Sequence, residues 1–336
     1  LKTAHNILEV SNTKTDFGPL VSVVIPFYND FKYLNEALES CFENTYQNIE
    51  VVIVDDCSSR PLTLADLKVK NDRFPIRIHR NESNRGPGYS RNVGIQIARG
   101  DFIAFLDADD LWRPAIIEKQ MKTFLEYPNI VWVYTDGNYL VDDKFHRKPN
   151  SAFHGFPDGR FPSGEEVNAY HLQGHNYLTF SSNMFRKSAL MEIGLFDESL
   201  KVSEDWDLFV RMAERFRHGV KAINESLMIY RVNNKGRHFV NRADYVEVNV
   251  KILEGMYQRQ GLLETQRPAF ERAVAMIYQR AGIQRLNAGH HPEARVFLFH
   301  PRCRPLNFQL RMIVLRALSW LPTIFYKTTL KIYDRI

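Results

Sequence analysis

Runs of apolar, β-branched residues alternate with helically spaced ones through the first third of the chain. Residues 20–25 (Leu-Val-Ser-Val-Val-Ile) are stopped by Pro26, and residues 48–54 (Asn-Ile-Glu-Val-Val-Ile-Val) by Asp55 and Asp56. Short apolar runs bounded by such residues predict buried strands. Between them Leu34, Leu38 and Phe42 repeat at the spacing of one helix face. Strand, helix and strand of these lengths predict a right-handed βαβ unit in a parallel sheet. The pattern recurs with a third strand at 76–78, a helix over 88–98 carrying Val93, Ile95 and Ile97, and a fourth strand at 101–106. A helix over 114–126 and a strand over 130–134 follow. The expected fold class is α/β, with its polar motifs just beyond the strands, where open α/β sheets bind ligands.

The rest of the chain changes character twice. Residues 142–164 are irregular and mix aromatics with turn residues, as expected of either a binding loop or a plain surface excursion. Residues 197–216 read as a turn entering an amphipathic helix with Leu208, Phe209 and Met212 on one face and Glu204, Asp205 and Asp207 at its start. From 245 to 299 the spacing is helical, with a hairpin-like turn over 287–292. Residues 312–326 are strongly apolar but are interrupted by Arg316 and Pro322 and flanked by Arg311 and Lys327. That segment is too short and broken to span a bilayer; it fits a helix lying in a membrane interface or a terminal helix packed on the core. The expected organisation is a flexible leader over 1–19, a catalytic domain over 20–240, and a helical region with a basic amphipathic tail over 241–336.

Composition narrows the class. With 336 residues, 44% hydrophobic and 25% charged, the chain is large enough for a substantial core and carries no low-complexity tract. The three cysteines, Cys41, Cys57 and Cys303, form neither an even framework nor a close pair, which disfavours a disulfide scaffold or a zinc site. The sequence shows no signal peptide and no apolar run of about 18 residues, so a cytoplasmic location is expected, with peripheral contact at the membrane face. From residue 291 onward eight basic residues stand against two acidic ones, so the tail accounts for the net charge of +5. Such a tail suits an anionic surface, either membrane headgroups or nucleic acid; membrane contact, without nucleic acid, is the expectation adopted.

The chemistry concentrates where residues 100–106 run into Asp107, Asp109 and Asp110. Carboxylates gathered at a strand exit are costly unless a cation or a substrate holds them. Mg2+ and Mn2+ prefer oxygen ligands and commonly sit between one or two carboxylates and a substrate's phosphates. The bland alternative is an Asp-rich turn in which Asp110 merely caps the next helix.

Five segments occur in order: residues 21–29 (Val-Ser-Val-Val-Ile-Pro-Phe-Tyr-Asn), 52–59 (Val-Ile-Val-Asp-Asp-Cys-Ser-Ser), 84–94 (Asn-Arg-Gly-Pro-Gly-Tyr-Ser-Arg-Asn-Val-Gly), 105–110 (Phe-Leu-Asp-Ala-Asp-Asp) and 203–206 (Ser-Glu-Asp-Trp). Together, over about 20–235, they resemble the family 2 glycosyltransferases of the GT-A fold. The resemblance implies a Rossmann-like, mostly parallel sheet and inverting transfer of a sugar from a nucleotide donor to a glycan or lipid-linked acceptor; the basic, apolar tail favours work at a membrane face, as in surface polysaccharide synthesis. It implies that Pro26, Tyr28 and Asn29 wall the nucleotide base and that Asp56 accepts a hydrogen bond from it, commonly from uracil, although guanine or thymine edges also donate. Arg91 matches a nucleotide-contacting residue whose fixed charge suits a diphosphate, while Asn92 is expected only to pack. Asp109 matches the metal ligand of the D-x-D element and Asp107 the residue nearer the ribose or the metal's waters, with Mn2+ or Mg2+ as cofactor. Asp205 matches the catalytic base, with Glu204 orienting it or touching the acceptor and Trp206 packing on a sugar or anchoring its helix.

One position departs from the family pattern. Many relatives carry His in a Tyr-Arg-x-His segment, whereas residues 230–233 read Tyr-Arg-Val-Asn. Asn233, His238 or water is left to complete the coordination. No Gln-x-x-Arg-Trp segment of processive synthases is present, so a single transfer per encounter is expected. An apolar strand followed by Asp-x-Asp also resembles haloacid dehalogenase-type phosphatases, but there that strand usually comes first, and here three precede it. A non-catalytic carbohydrate-binding or assembly subunit is the third reading, and it leaves a base opposite a metal unexplained.

Overall fold

The computed structural model describes residues 18–68, 73–141, 144–146, 161–174, 178–232, 244–287 and 290–306. The leader over 1–17, most of the loop over 142–164, Asn233, His238 and the apolar segment over 312–326 lie outside the described residues. In chain order the elements are β1 (Val21–Phe27), α1 (Phe31–Phe42), β2 (Ile49–Asp55), β3 (Ile76–Arg80), α2 (Pro87–Ile97), β4 (Phe102–Phe105), β5 (Leu111–Trp112), α3 (Ile116–Glu126), β6 (Trp132–Val141), β7 (Lys144–His146), α4 (Glu165–Leu172), β8 (Asn183–Arg186), α5 (Lys187–Glu192), α6 (Glu204–Arg215), β9 (Val220–Val232), α7 (Asp244–Arg259), α8 (Arg267–Asn287) and α9 (His291–Leu298).

Among the described residues the strands form one mixed sheet in the order β3-β2-β1-β4-β8-β6-β9-β5, with β7 on the edge of β6. The first four strands pair in parallel, as the βαβ pattern predicts. Beyond them β8 runs antiparallel to both β4 and β6, and β6 is parallel to β9. The strand expected over 130–134 continues to Val141, crossing a register shift at Asp136.

β2 is buried along its whole length, which explains why residues 51–54 run apolar without alternation, and its buried Glu50 is paired with Arg77 at 2.9 Å. One face of the parallel half packs Val21, Val23, Ile25 and Phe27 against Leu34, Leu38 and Phe42 of α1, and the same core takes in Ile116, Ile117, Met121 and Phe124 of α3. The other face receives α2, and the approach is close. A Cβ on Gly94 would lie 2.3 Å from Cγ1 of Val24, so only glycine lets α2 lie this near β1. That approach fixes where Arg91, one turn earlier on α2, enters the site. Beneath it an aromatic column fills the sheet-to-helix layer, with Trp132 stacked on Phe209 of α6 at 5.1 Å and Phe180 stacked on Phe209 at 5.6 Å.

The described chain divides into two compact units. The first comprises the sheet, through Asn168 and again over Tyr177–Asn234; the second comprises Ala169–Asn176 and the residues from Lys235 onward. Within the second, α8 and α9 pack closely because Gly282 leaves room for Leu298, and the Tyr257 hydroxyl donates to the Leu172 carbonyl at 3.0 Å. No helix among the described residues is long and apolar enough to cross a membrane.

Gly94→Ala is expected to destabilise the protein by about 2 kcal/mol through overpacking against Val24. Combining it with Val24→Ala should recover more than half of that loss in a denaturant-melt double-mutant cycle. Additive losses would show that the Gly94–Val24 contact is not the constraint.

Candidate active site

The loops that follow β1, β2 and β4 gather at the carboxyl edge of the sheet with the start of α2. After β1 the backbone turns at Asn29, held at φ 57°, a left-handed conformation that Asn tolerates better than most residues. Asn29 ties two loops together: its amide donates to Ser58 Oγ at 2.9 Å, and its Oδ1 accepts from Ser59 N and Oγ, each at 2.9 Å. Pro26 is half-buried beside it, and Tyr28 is 52% exposed, its ring open to solvent.

Asp56 is buried and already engaged. Its carboxylate accepts from Asn81 Nδ2 at 2.8 Å, Gly86 N at 2.7 Å and Arg85 N at 3.1 Å. An ionised carboxylate has about four acceptor directions, so one remains for a further donor. Asp56 therefore also builds the turn at Gly86, where φ is 92° and α2 begins. Its neighbour Asp55 serves the loop alone, accepting from Ser58 N and from the Arg80 guanidinium.

The acid loop after β4 is held from beneath. Ser181 Oγ accepts from Asp107 N at 3.0 Å and donates to Asp110 Oδ2 at 2.5 Å, and the other Asp110 oxygen accepts from Arg231 N at 3.1 Å. Asp110 is thus buried, and it does not serve as a simple helix cap. Arg231 of β9 also donates from Nε to the Asp109 carbonyl at 3.0 Å and reaches Glu36 of α1 at 2.5 Å. Burial, then the charges of Asp107 and Asp30, push the Asp109 carboxyl up to about 6. Burial and the neighbouring carboxylates Asp110, Asp109 and Asp107 all oppose ionisation of Tyr230, which puts its phenol within electrostatic reach of all three.

Arg91 joins this loop to α6. Its guanidinium is 5% exposed and donates to Asp107 Oδ1 at 2.8 Å and to Glu204 Oε1 at 2.9 Å, with the Phe180 ring 4.3 Å from Cζ. Burial works against the charge of Arg91, but Asp107 and Glu204 outweigh it and raise its pKa. α6 starts from Ser203 in a left-handed turn, and Glu204 packs against Gly88 at the start of α2, where a Cβ would lie 3.3 Å from Glu204 Cγ. Asp205, next in line, is pushed up to about 7, first by burial and then by Glu204, with Arg91 opposing.

Asp107, Glu204 and Arg91 are in direct contact, Asp109 and Asp205 flank them in sequence, and Asn29 and Asp56 belong to adjoining loops. Trp206 is 1% exposed and anchors its helix. Asn92 does more than pack, because it donates to Phe196 O and Glu198 Oε1, each at 3.0 Å. Sequence reasoning missed Asn81, Ser181, Arg231 and Glu36. Asn81 and Ser181 had no signal; Arg231 stood beside the Tyr-Arg-x-His position but was read only for its missing His. Among the described residues no three His, Cys, Asp or Glu side chains close a cage around one point.

Comparison with known proteins agrees with this geometry. A profile of glycosyl transferase family 2 matches residues 22–194, the span from β1 through α5. An uncharacterized glycosyltransferase of Methanocaldococcus jannaschii is 32% identical over 66% of this chain and 73% of its own length. An uncharacterized glycosyltransferase of Rickettsia typhi is 31% identical over 58% of this chain, and the match spans 59% of that relative. In fold, the chain is similar to S. aureus TarS 1-349, crystallised with UDP-GlcNAc, at a TM-score of 0.56, 18% identity and 92% coverage of each chain. With more than half of its residues inside the family profile, the acid loop among them, the chain belongs to glycosyl transferase family 2.

Proposed function

We propose that the protein is an inverting glycosyltransferase that moves a sugar from a nucleoside diphosphate donor, UDP-linked, to a hydroxyl of a glycan or lipid-linked acceptor, in the assembly of surface polysaccharide. The observation that carries this reading is the Arg91 bridge between Asp107 and Glu204, which joins the acid loop to the start of α6. The UDP-GlcNAc bound by TarS, which shares the fold, supports a uridine donor.

Pro26, Tyr28 and Asn29 are assigned to the base, and the remaining acceptor direction of Asp56 to the donor edge of that base. Asp107 and Asp109 suit a hard divalent ion, Mn2+ or Mg2+. Burial, then the charge of Asp107, raises the Asp109 carboxyl, a cost that such an ion relieves, and two carboxylates suffice when phosphates and water supply the other ligands. The ion, when bound, supplies charge neutralisation to the departing diphosphate. Arg91, assigned to the nucleotide's diphosphate region, also holds Asp107 and Glu204 in register. Asp205 takes the acceptor hydroxyl's proton as the new bond to the anomeric carbon forms. A base pushed up to about 7 is matched to that task near neutral pH. The basic tail, which lies outside the described residues from 307 onward, is assigned to an anionic membrane surface near a lipid-linked acceptor.

The donor class is tested by thermal shift and nucleotide release with UDP-, GDP- and dTDP-sugars in the presence of Mn2+. One series, expected to be UDP, should stabilise the wild type, and Asp109→Ala should lose the metal-dependent shift and at least 100-fold of the release rate. A wild type that answers no donor sinks the reading.

The rate at saturating donor should climb about tenfold per pH unit below about 7 and level off above it, reporting ionisation of Asp205. A flat profile between pH 5 and 8 would remove Asp205 as the base.

Stability should move the other way. Burial raises Asp205 in the folded protein above its ordinary value of 3.8, so its ionisation costs stability as pH rises from about 4 to about 7. Asp205→Asn, inactive, should therefore melt a few degrees above wild type at pH 8, a gain of about 1 kcal/mol, and level with it at pH 4. Equal melting temperatures at both pH values would contradict the buried charge.

A further inference from the structure

The sheet order separates two regions on either side of the acid loop. Asp56 and Asn29 follow β2 and β1, on one side of β4, whereas β6 and β9 lie on the other side, across β8. If the nucleotide occupies the first region, the second substrate approaches from the second. Past the register shift at Asp136, β6 and β9 continue together through Tyr139, which is paired directly with Tyr230. The rings meet edge to face, 5.8 Å between centroids at 79°, and both residues are part-exposed.

This pair sits beside the chemistry. The backbone N–H of Arg231, the next residue after Tyr230, donates to Asp110 Oδ1 at 3.1 Å, so β9 runs along the acid loop at this point. β5, which follows Asp110 immediately, pairs with β9 at Leu111↔Ile229. The acid loop leads into β5, Tyr230 lies on its neighbour β9 and Tyr139 on the next strand, β6, so the three fall on successive strands of the half of the sheet that does not carry Asp56. The aliphatic face of a pyranose is apolar while its rim is hydroxylated, a pattern that an aromatic face with a polar edge complements.

We propose that Tyr139 and Tyr230 form the acceptor subsite, with Tyr139 packing against the sugar ring that bears the attacking hydroxyl. The proposal rests on the transferase reading above. Tyr139 is a specificity residue, and Tyr230 is the wall between that ring and the carboxylates. Tyr139 stands one strand farther from the acid loop than Tyr230, which makes it the better one to alter.

The test uses the full chain with Mn2+ and UDP and titrates octyl β-glucoside, octyl β-galactoside and octyl β-N-acetylglucosaminide, followed by saturation-transfer NMR. Wild type is expected to bind at least one at millimolar concentration. Tyr139→Phe, which keeps the ring, should match it within about twofold, and Tyr139→Ala should weaken it at least fivefold, both with UDP affinity and melting temperature unchanged. Tyr139→Leu, which preserves apolar bulk, serves as the second variant should the alanine substitution fail to fold, and it should also weaken the glycoside. Equal glycoside binding by wild type and the ring-less variants overturns the proposal, as does a wild type that binds UDP but none of the three glycosides. A wild type that binds no UDP fails earlier and refutes the transferase reading itself.

Discussion

A single buried guanidinium organises this protein's chemistry. Arg91 is nearly inaccessible and spends its two terminal nitrogens on Asp107 and Glu204, with Phe180 covering its face. A buried ion pair repays its desolvation only when geometry and packing are good. Here both are supplied from elsewhere: α2 is brought in by the Gly94–Val24 approach, Asp107 is pinned through its backbone to Ser181, and Glu204 is packed on Gly88. Loss of any one of these supports leaves a carboxylate buried without its cation, which is why the site and the core cannot be separated energetically.

The second arginine solves a different problem. Asp109 and Asp110 crowd one loop, and burial with mutual repulsion raises both carboxyls. Arg231 braces the loop from its backbone side: its backbone N–H donates to Asp110 Oδ1, its Nε donates to the Asp109 carbonyl, and its guanidinium pairs with Glu36. The side chain of Asp110 is consumed by Ser181 and the Arg231 backbone, whereas Asp107 and Asp109 remain part-exposed. One loop thus carries structural and chemical acids side by side, told apart by what lies beneath each.

Much of the parallel half was legible because local physics dictates it. Apolar runs ended by Pro26, by Asp55 and by the acid loop can only be buried strands, and the helical spacing of Leu34, Leu38 and Phe42 can only face them. The antiparallel arrangement of β8 and the continuation of β6 past Asp136 were not legible, since a strand's partner and its extent beyond an irregularity depend on distant residues. The same limit applies to Asp110 and Asn92. Each looked like a turn or packing residue until Ser181, Phe196 and Glu198, more than 70 positions away, came beside them.

The sequence by itself determined the class of fold, the order of the motifs and the residue types available for the chemistry, because strand burial, turn composition and carboxylate spacing are written over a few consecutive positions. Tertiary structure alone decided which acid is structural and which is exposed, that Arg91 is spent on two carboxylates, and that Tyr139 lies one strand away from Tyr230. Those outcomes depend on desolvation and on charges brought together from positions as far apart as Arg91 and Glu204, and no local pattern records either.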